Sequence, residues 1–206
     1  MDLHVPEGPI RSIKDFLLHI VIVTIGILIA LGLEQLVEAH HRHHLAHQAV
    51  EGFTRELTAD SQQLRDVMST NPKVRTQIAD WIAALSAANP GEIGNYPGLY
   101  FDPLSAASWD TAMATQALGE LPYEQAHLYA DAYSALRIVD DLRRRSLADW
   151  AELRSFGQNG AAMTPDQRRT LIERLRRYET DSVVIDSAAG NALILIQAAL
   201  GDKTHA

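Results

Sequence analysis

The chain has 206 residues, of which 18 are Lys or Arg and 26 are Asp or Glu, so its formal net charge is −8. This charge argues against a dedicated nucleic-acid binder, because phosphate contacts need a basic face. The sequence contains no cysteine, which excludes disulfide scaffolds, Cys-ligated metal centres and thiol nucleophiles. A hydrophobic content of 47% is too high for a disordered chain.

The sequence predicts an all-α protein with one N-terminal transmembrane helix, which continues into a long stalk helix and is followed by a helical-bundle extramembrane domain. The predicted segments are a short N-terminal segment (1–15), a transmembrane helix (16–33), a His-rich stalk helix (34–69), a helical-bundle domain (70–201) with an irregular aromatic loop (89–104), and a tail (202–206).

The predicted span, FLLHIVIVTIGILIALGL at 16–33, contains no formal charge. At 1.5 Å per residue it covers roughly 27 Å, just enough to cross a bilayer. A cleaved signal peptide is the alternative, since Ala30-Leu31-Gly32 has small residues at the right spacing, but signal h-regions are usually shorter. Arg11 and Lys14 precede the span and Arg42 alone follows it closely, a bias that predicts the N-terminus inside and the rest of the chain outside. In the inner membrane of a Gram-negative bacterium, the N-terminus would then be cytoplasmic and the main domain periplasmic.

His19 is the one strongly polar ring inside the predicted span. An ionisable residue there suggests a ligand to a haem or chlorophyll metal, or a hydrogen-bond donor to a neighbouring helix. The simpler interpretation is that His19 lies one turn from the membrane edge and reaches headgroups or water. No cofactor is predicted, with a pigment at His19 or a transition metal at the stalk as the alternatives.

Apolar residues continue beyond the span at alternating spacings of three and four, from Leu36 to Val67. This seam predicts that the helix continues to about Ser69 and that Asn71-Pro72 ends it. It fits a homotypic coiled coil or, equally well, one member of an intramolecular bundle. The predicted contact residues, on the seam and in the aromatic loop, are Leu36, Val50, Phe53, Leu57, Leu64, Tyr96, Tyr100 and Phe101.

A histidine-rich tract, EAHHRHHLAHQ, follows the span. A metal site is predicted from His40, His43, His44 and His47, because His40/His44 and His43/His47 are each four residues apart and share a helix face. A full site needs three or four ligands, and therefore a second helix or a second subunit. The alternative is an interfacial helix whose imidazoles contact lipid headgroups and gain charge as the pH falls.

Two further pairs, Glu38-x-x-His41 and Glu124-x-x-His127, match the Glu-x-x-His motif of carboxylate-bridged di-iron bundles. Such a centre also takes single Glu ligands from two other helices, and the predicted second helix contains no Glu. The spacing therefore favours a chance match in a chain with nine histidines.

Helices are predicted in the distal domain at 72–88, near Trp109–Ala117, at 123–156 and from 164 to 200. The clearest start is Thr164-Pro165-Asp166-Gln167, an N-cap with Pro at the first helical position and Gln three residues after the cap. The apolar stretch at 188–200 is only 13 residues long, which predicts a core helix rather than a second span.

A basic region at 137–177 holds ten Lys or Arg against six Asp or Glu. Because acids and bases interleave at helical spacing, the region is predicted to be a solvated surface, with Asp140 and Asp141 among its exposed residues. An anionic lipid or an acidic partner subunit is the alternative contact for this surface.

Two segments resemble a family of uncharacterised bacterial proteins with a single N-terminal membrane helix. Ile25–Leu31, which reads I-G-I-L-I-A-L and is followed by Glu34 and Glu38, is similar to the family's membrane helix and Glu-rich stalk. SWDTAMATQAL at 108–118 and LPYE at 121–124 are similar to its soluble part. The resemblance implies this architecture and no activity. The histidine tract departs from the family, in which Asn, Trp, Arg and Lys are more usual.

Motifs that mark common enzyme classes, such as G-x-S-x-G, H-E-x-x-H, phosphate loops and dinucleotide fingerprints, do not occur. We therefore expect a non-enzymatic, single-pass accessory subunit of a larger bacterial membrane complex, for example a photosynthetic or respiratory one. Its expected partners are other membrane-protein subunits and the lipid bilayer, with a homo-oligomeric scaffold as a variant. The alternative function is a periplasmic metal-binding or sensory protein that uses the histidine tract.

Overall fold

In a computed structural model of the chain, residues 13–94 and 102–201 are described, apart from the side chain of Asp15. Four α-helices account for most of these residues, and short 3-10 helices connect them. The all-α prediction is confirmed for the described residues, whose one extended pairing is an isolated bridge between Glu92 and Asn159. The α-helices are α1 (Ile13–Ser86), α2 (Ala107–Ala114), α3 (Tyr123–Leu153) and α4 (Pro165–Gly201).

Helix α1 is a single helix of 74 residues, so the predicted end at Asn71-Pro72 is wrong. Proline usually breaks a helix because it lacks an N–H group and its ring crowds the preceding turn. Here Pro72 faces solvent, while Leu64 and Ile78 on either side of it are fully buried. Tertiary packing on both sides of the proline therefore holds the helix together, and the predicted helices at 34–69 and 72–88 are parts of one element.

Helices α1, α3 and α4 form the bundle, with α4 packed along both α3 and the distal part of α1. One hydrophobic cluster joins Phe53 of α1 to Tyr133 of α3 and Ile196 of α4. A second cluster at the far end joins Ile78 of α1 to Leu153 of α3 and Leu171 of α4. Helices α1 and α3 therefore run in the same direction, and α4 returns towards the first cluster.

Helix α2 and the 3-10 helix Ala117–Glu120 pack on α1 beside the first cluster. At the opposite end of the bundle, two loops are joined by backbone hydrogen bonds. The N–H of Ile93 donates to the carbonyl of Gln158 at 2.8 Å, and the N–H of Gly160 donates to the carbonyl of Gly91 at 3.1 Å. These bonds close the distal end of the domain.

The capping box predicted for α4 is confirmed. The N–H of Gln167 donates to Thr164 Oγ1 at 3.2 Å, and the N–H of Thr164 donates to Gln167 Oε1 at 2.8 Å. The helix then continues without a break to Gly201. Its C-terminal half buries a stripe of small and apolar residues in the first cluster, namely Ala189, Ala192, Ile196 and Ala199.

The prediction that Asp140 is a solvated surface residue is wrong. Asp140 is buried, and its carboxylate accepts a hydrogen bond from Arg143 Nε at 2.8 Å and contacts Arg144 at 2.6 Å. Burial acts to raise the pKa of Asp140, but the two guanidinium groups outweigh it and hold the pKa below its usual value. Asp140, Arg143 and Arg144 therefore form an ion-pair network at the edge of the core, which the alternating charges of the sequence did not predict.

Candidate functional site

The apolar segment of α1 is bare of protein contacts. Every described side chain from Phe16 to Leu33 is exposed. The most apolar 18-residue stretch of α1 has a mean hydropathy of 2.8, and none of it is buried. Helix α4 is also long and apolar enough to span a membrane, since its most apolar stretch has a mean hydropathy of 1.7. However, 28% of that stretch is buried in the bundle. Two apolar helices therefore indicate membrane association, and the apolar segment of α1 is the one that the other described residues leave fully uncovered.

His19 is exposed on this segment. Among the described residues, no group of three or more His, Asp or Glu side chains is placed to hold a metal ion. The two Glu-x-x-His pairs lie on exposed helix surfaces, where Glu38 contacts Arg42 and His127 contacts Asp131. The pigment prediction at His19 stays a prediction, and the di-iron pattern gains no further ligands from the fold.

Residues 34–45, called the neck here, connect the apolar segment to the bundle. Side chains 34–44 are exposed, and Ala46 is the first buried residue of α1. The neck is continuous helix, so at 1.5 Å per residue it spans about 18 Å. Because no loop interrupts the neck, the height of the bundle above the apolar segment is fixed.

The predicted histidine ligands lie in and just beyond the neck, and all are exposed. His40, His43, His44 and His47 occupy positions i, i+3, i+4 and i+7, which share one face about 100° wide; this set is called the histidine face. His47 Nδ1 lies 3.6 Å from Glu51 Oε1, and His44 Nε2 lies 3.1 Å from the amide nitrogen of Gln48. The fold brings no second helix of the chain onto this face within the described residues.

The opposite side of the neck contacts the bundle. Arg42 forms an ion pair with Glu120 at 2.9 Å, which ties the 3-10 helix Ala117–Glu120 to the neck. His41 lines the cleft between these two elements, together with Leu45 and Thr115. The histidine face therefore points away from the chain's own domain.

The predicted contact residues fall into three environments. Phe53, Leu57 and Leu64 are fully buried in the chain's own core, as in the intramolecular alternative, so they offer no surface to another protein. Leu36 is 67% exposed, and Val50 is partly buried at the edge of the first cluster. The remaining three, Tyr96, Tyr100 and Phe101, lie outside the described residues.

A pair of carboxylates from α1 lies beneath the α2 segment. Glu56 Oε2 accepts a hydrogen bond from the backbone N–H of Ser108 at 2.9 Å, and Asp60 Oδ1 accepts one from the N–H of Ser105 at 3.4 Å. Helix α2 has no side-chain cap of its own, so these acids supply acceptors for its N-terminal region. The two carboxylates hold the α2 segment onto α1.

This carboxylate pair lies against an aromatic group. The rings of Phe53 and Tyr129 are 4.7 Å apart, and Trp109 and Tyr133 are 5.3 Å apart. The second oxygen of Asp60 is buried without a hydrogen-bond partner, and the Tyr133 hydroxyl lies beside the Glu56 carboxylate. Unsatisfied polar atoms in an aromatic core are destabilising.

The surroundings of Asp60 change its acidity. Burial is the largest cause and raises the pKa of Asp60 to about 6; the hydrogen bond from Ser105 opposes it, and the nearby carboxylates Glu56 and Asp140 add to it. Burial and Glu56 also raise the pKa of the Tyr133 phenol, which therefore stays protonated. Asp60 is thus the buried group in this cluster that changes charge close to neutral pH.

Neither Asp60 nor Glu56 is among the site residues predicted from the sequence. A signal was present, since Asp60 occupies an apolar position of the seam between Leu57 and Leu64. A carboxylate at a core position predicts either a partner or a perturbed pKa. Glu56 lies four residues before Asp60 on the same helix, so helical spacing alone places the two carboxylates on one face of α1. Tyr133 carries no such signal, because only the packing of α3 on α1 brings it to Asp60.

No family model, curated protein or solved structure matches this chain. The result is consistent with the resemblance to a family without an established activity. Two features therefore stand as candidate functional sites: the bare apolar segment with its histidine face, and the buried carboxylate cluster.

Proposed function

We propose that this protein is a non-enzymatic, single-pass membrane protein that serves as an accessory or structural subunit of a larger bacterial membrane complex, such as a photosynthetic or respiratory one. The observation that carries the proposal is the division of α1. Its first part is an exposed apolar helix, and the same helix becomes a core element of the bundle beyond Ala46. A rigid connection of this kind fixes a folded domain at a set distance from the bilayer.

The outer surface of the bundle offers apolar contacts for a partner. Exposed apolar side chains lie on both long helices, including Ile138 and Leu147 on α3 and Val183 and Ile194 on α4. The partly buried Glu56 and the buried Asp60 accept hydrogen bonds from backbone N–H groups of the α2 segment, which gives them a structural use and favours a non-catalytic domain.

In the proposed topology the N-terminus is cytoplasmic and the bundle is periplasmic. The absence of cysteine permits a clean test with single-cysteine variants. A membrane-impermeant maleimide should label Ser187→Cys on the exposed face of α4 in cells whose outer membrane has been permeabilised. It should label Ser12→Cys only after the inner membrane is broken. The reverse pattern would contradict this topology.

Complex membership is tested by native purification from the source membranes in mild detergent, followed by mass spectrometry. The full chain should co-purify with stoichiometric membrane subunits. A variant cut after Leu36 keeps the apolar segment and loses the bundle, so it should insert into the membrane but not be retained in the complex. Equal retention of this variant, or a full-length chain that purifies alone, would contradict the accessory role.

A second function, binding of a transition metal, is favoured by one observation. Four exposed histidines share a face of the neck region that the chain's own domain leaves open. This candidate function is compatible with membrane anchoring and does not depend on any particular host complex.

A further inference from the structure

The histidine face presents two pairs of metal-ligating side chains at the spacing of one helical turn. His40/His44 and His43/His47 are both i, i+4 pairs, and each pair can bind a single ion. A single helix can supply two imidazoles to one ion in this way. Zn²⁺ takes four ligands in a tetrahedral arrangement when its site is structural, so two more ligands have to come from another helix.

Of the two pairs, His43/His47 has the better side-chain arrangement for binding a metal ion, because a carboxylate lies beside one of its histidines. His47 directs Nδ1 towards Glu51 at 3.6 Å, and both side chains are mostly exposed. A metal-ligating histidine commonly donates its second ring N–H to a carboxylate, which fixes the tautomer and leaves the other nitrogen for the metal. In the other pair, His44 has Nε2 next to the amide of Gln48 at 3.1 Å. The position of Glu51 beside His47 therefore favours His43 and His47 as the metal ligands.

The fold leaves room for a second helix on this face. Arg42 on the opposite side of the neck pairs with Glu120, so the domain lies behind the histidines. Leu36, His40, His43, His47 and Val50 also follow one another at alternating spacings of four and three. This stripe has the pattern of a helix–helix contact. Leu36 is 67% exposed below the histidines, and the described residues leave the stripe uncovered along the neck, whereas Val50 at its upper end is partly buried at the first cluster.

Membrane anchoring supplies the register for a second copy. Two copies inserted in one bilayer are parallel, and the same residue number lies at the same height in each because the neck is continuous helix. A two-fold axis along the membrane normal then places His43 and His47 of one copy opposite the same residues of its partner. This arrangement completes a four-imidazole site that neither copy can form alone.

We propose that two copies of this chain bind one Zn²⁺ ion between their helices, with His43 and His47 of each copy as the ligands. The inference rests on the membrane anchoring in the proposed function, because anchoring sets the register, and it does not rest on the host complex. Glu51 acts as a positioning residue that orients His47. Metal binding would then control dimerisation just above the membrane surface.

The test uses the full chain, purified in mild detergent with a tag that contains no histidine and stripped with a chelator. Zn²⁺ alone is titrated by calorimetry, and the mass of the protein–detergent complex is followed by analytical ultracentrifugation. We expect one Zn²⁺ per two chains and a monomer-to-dimer shift at that ratio. One Zn²⁺ per chain without dimerisation would overturn the proposal.

Two matched double variants locate the site. H43Q/H47Q should weaken Zn²⁺ binding by at least about 100-fold and abolish the dimer shift, while H40Q/H44Q removes as many histidines from the same face and should keep both. Circular dichroism should be unchanged in both, because all four side chains are exposed. Unchanged binding in H43Q/H47Q, or loss in H40Q/H44Q, would overturn the assignment.

Glu51→Gln separates a positioning role from ligation. It should reduce Zn²⁺ affinity by about 10-fold to 100-fold and leave the ratio of one ion per two chains intact. An affinity equal to that of the unsubstituted chain would remove Glu51 from the site. Co-purification with a host complex is measured separately, so failure of Zn²⁺ binding and failure of the accessory role give different results.

Discussion

The two parts of helix α1 have the same backbone and opposite surroundings. From Phe16 to His44 the described side chains are exposed, whereas beyond Ala46 the helix buries a stripe against α2, α3 and α4. Leu36 and Leu57 illustrate the difference, since one is 67% exposed and the other is fully buried. A continuous apolar seam therefore does not by itself reveal what covers it.

The difference follows from how apolar side chains are distributed around the helix in each part. The segment Phe16–Leu33 carries no formal charge and is apolar on nearly all sides, which suits a lipid environment. The second part is apolar on one stripe and polar elsewhere, which suits a bundle in water. The neck lies between them, with a polar side towards the domain and a histidine face away from it. Variants in the two parts should therefore respond very differently.

The largest effect is expected for Leu57→Ala in the buried part. Removing this side chain leaves a cavity in the first cluster and should lower the free energy of unfolding by about 2–5 kcal/mol. Leu36→Ala removes the same atoms from the exposed part and should change it by less than about 0.5 kcal/mol. Urea unfolding of the full chain in detergent, followed by tryptophan fluorescence, measures both. Equal effects would contradict the division of α1.

The next effect concerns the buried acid. The folded pKa of Asp60 is about 6 against an ordinary value of 3.8, so the folded state binds the proton more tightly. The stabilising contribution of that proton is present below about pH 4 and is lost as the pH rises through 6. Asp60→Asn should therefore raise the free energy of unfolding by roughly 3 kcal/mol at pH 7 and by little at pH 4.

Glu38→Gln is the control for the Asp60 variant, because it neutralises an exposed carboxylate of the same helix. Its exposed ion pair with Arg42 is weak, so the substitution should change the free energy of unfolding at pH 7 by less than about 1 kcal/mol. Unfolding measured from pH 4 to pH 8 compares the two variants with the unsubstituted chain. A destabilised Asp60→Asn variant at pH 7 would show that the ionised carboxylate is favourable in its site.

A smaller effect is expected at the polar contact between α1 and α4. Asp186 accepts a hydrogen bond from Asn71 at 2.5 Å and one from Arg75 at 2.6 Å, and all three are at least partly buried. Asp186→Ala should cost about 1–3 kcal/mol, because Asn71 loses this acceptor and the Arg75 guanidinium loses its ion pair and keeps only the longer contact with Ser182. Glu120→Ala removes the more exposed ion pair with Arg42 and should cost less than about 1 kcal/mol. A similar cost for both, measured by thermal unfolding, would contradict the burial argument.

A small effect on the free energy of unfolding is expected at the N-terminal cap of α4. Thr164→Ala removes the side-chain acceptor for the N–H of Gln167 and should cost about 1 kcal/mol. Thr164→Ser keeps a hydroxyl at the same position and should restore most of the stability. Thermal unfolding followed by circular dichroism is sensitive enough for this comparison. No difference between the two variants would mean that the cap contributes nothing.

Local signals predicted the features that depend on neighbouring residues. The α4 capping box, the start of α3 at Tyr123 and the bare apolar segment all follow from short patterns of residues. The helix end at Asn71-Pro72 was also a local signal, and it failed. The contacts of Leu64, Asn71 and Ile78 with distant residues outweigh the cost of one missing backbone hydrogen bond.

The sequence by itself determined the helical class, the apolar segment and the cluster of histidines, because periodicity and composition act within one or two helical turns. Only the tertiary structure decided which part of the seam is core, that Tyr133 lies beside Asp60, and that the histidine face points away from the domain. These features depend on residues far apart in the chain, such as Arg42 with Glu120. Burial and charge there are properties of the assembled bundle, so no local pattern encodes them.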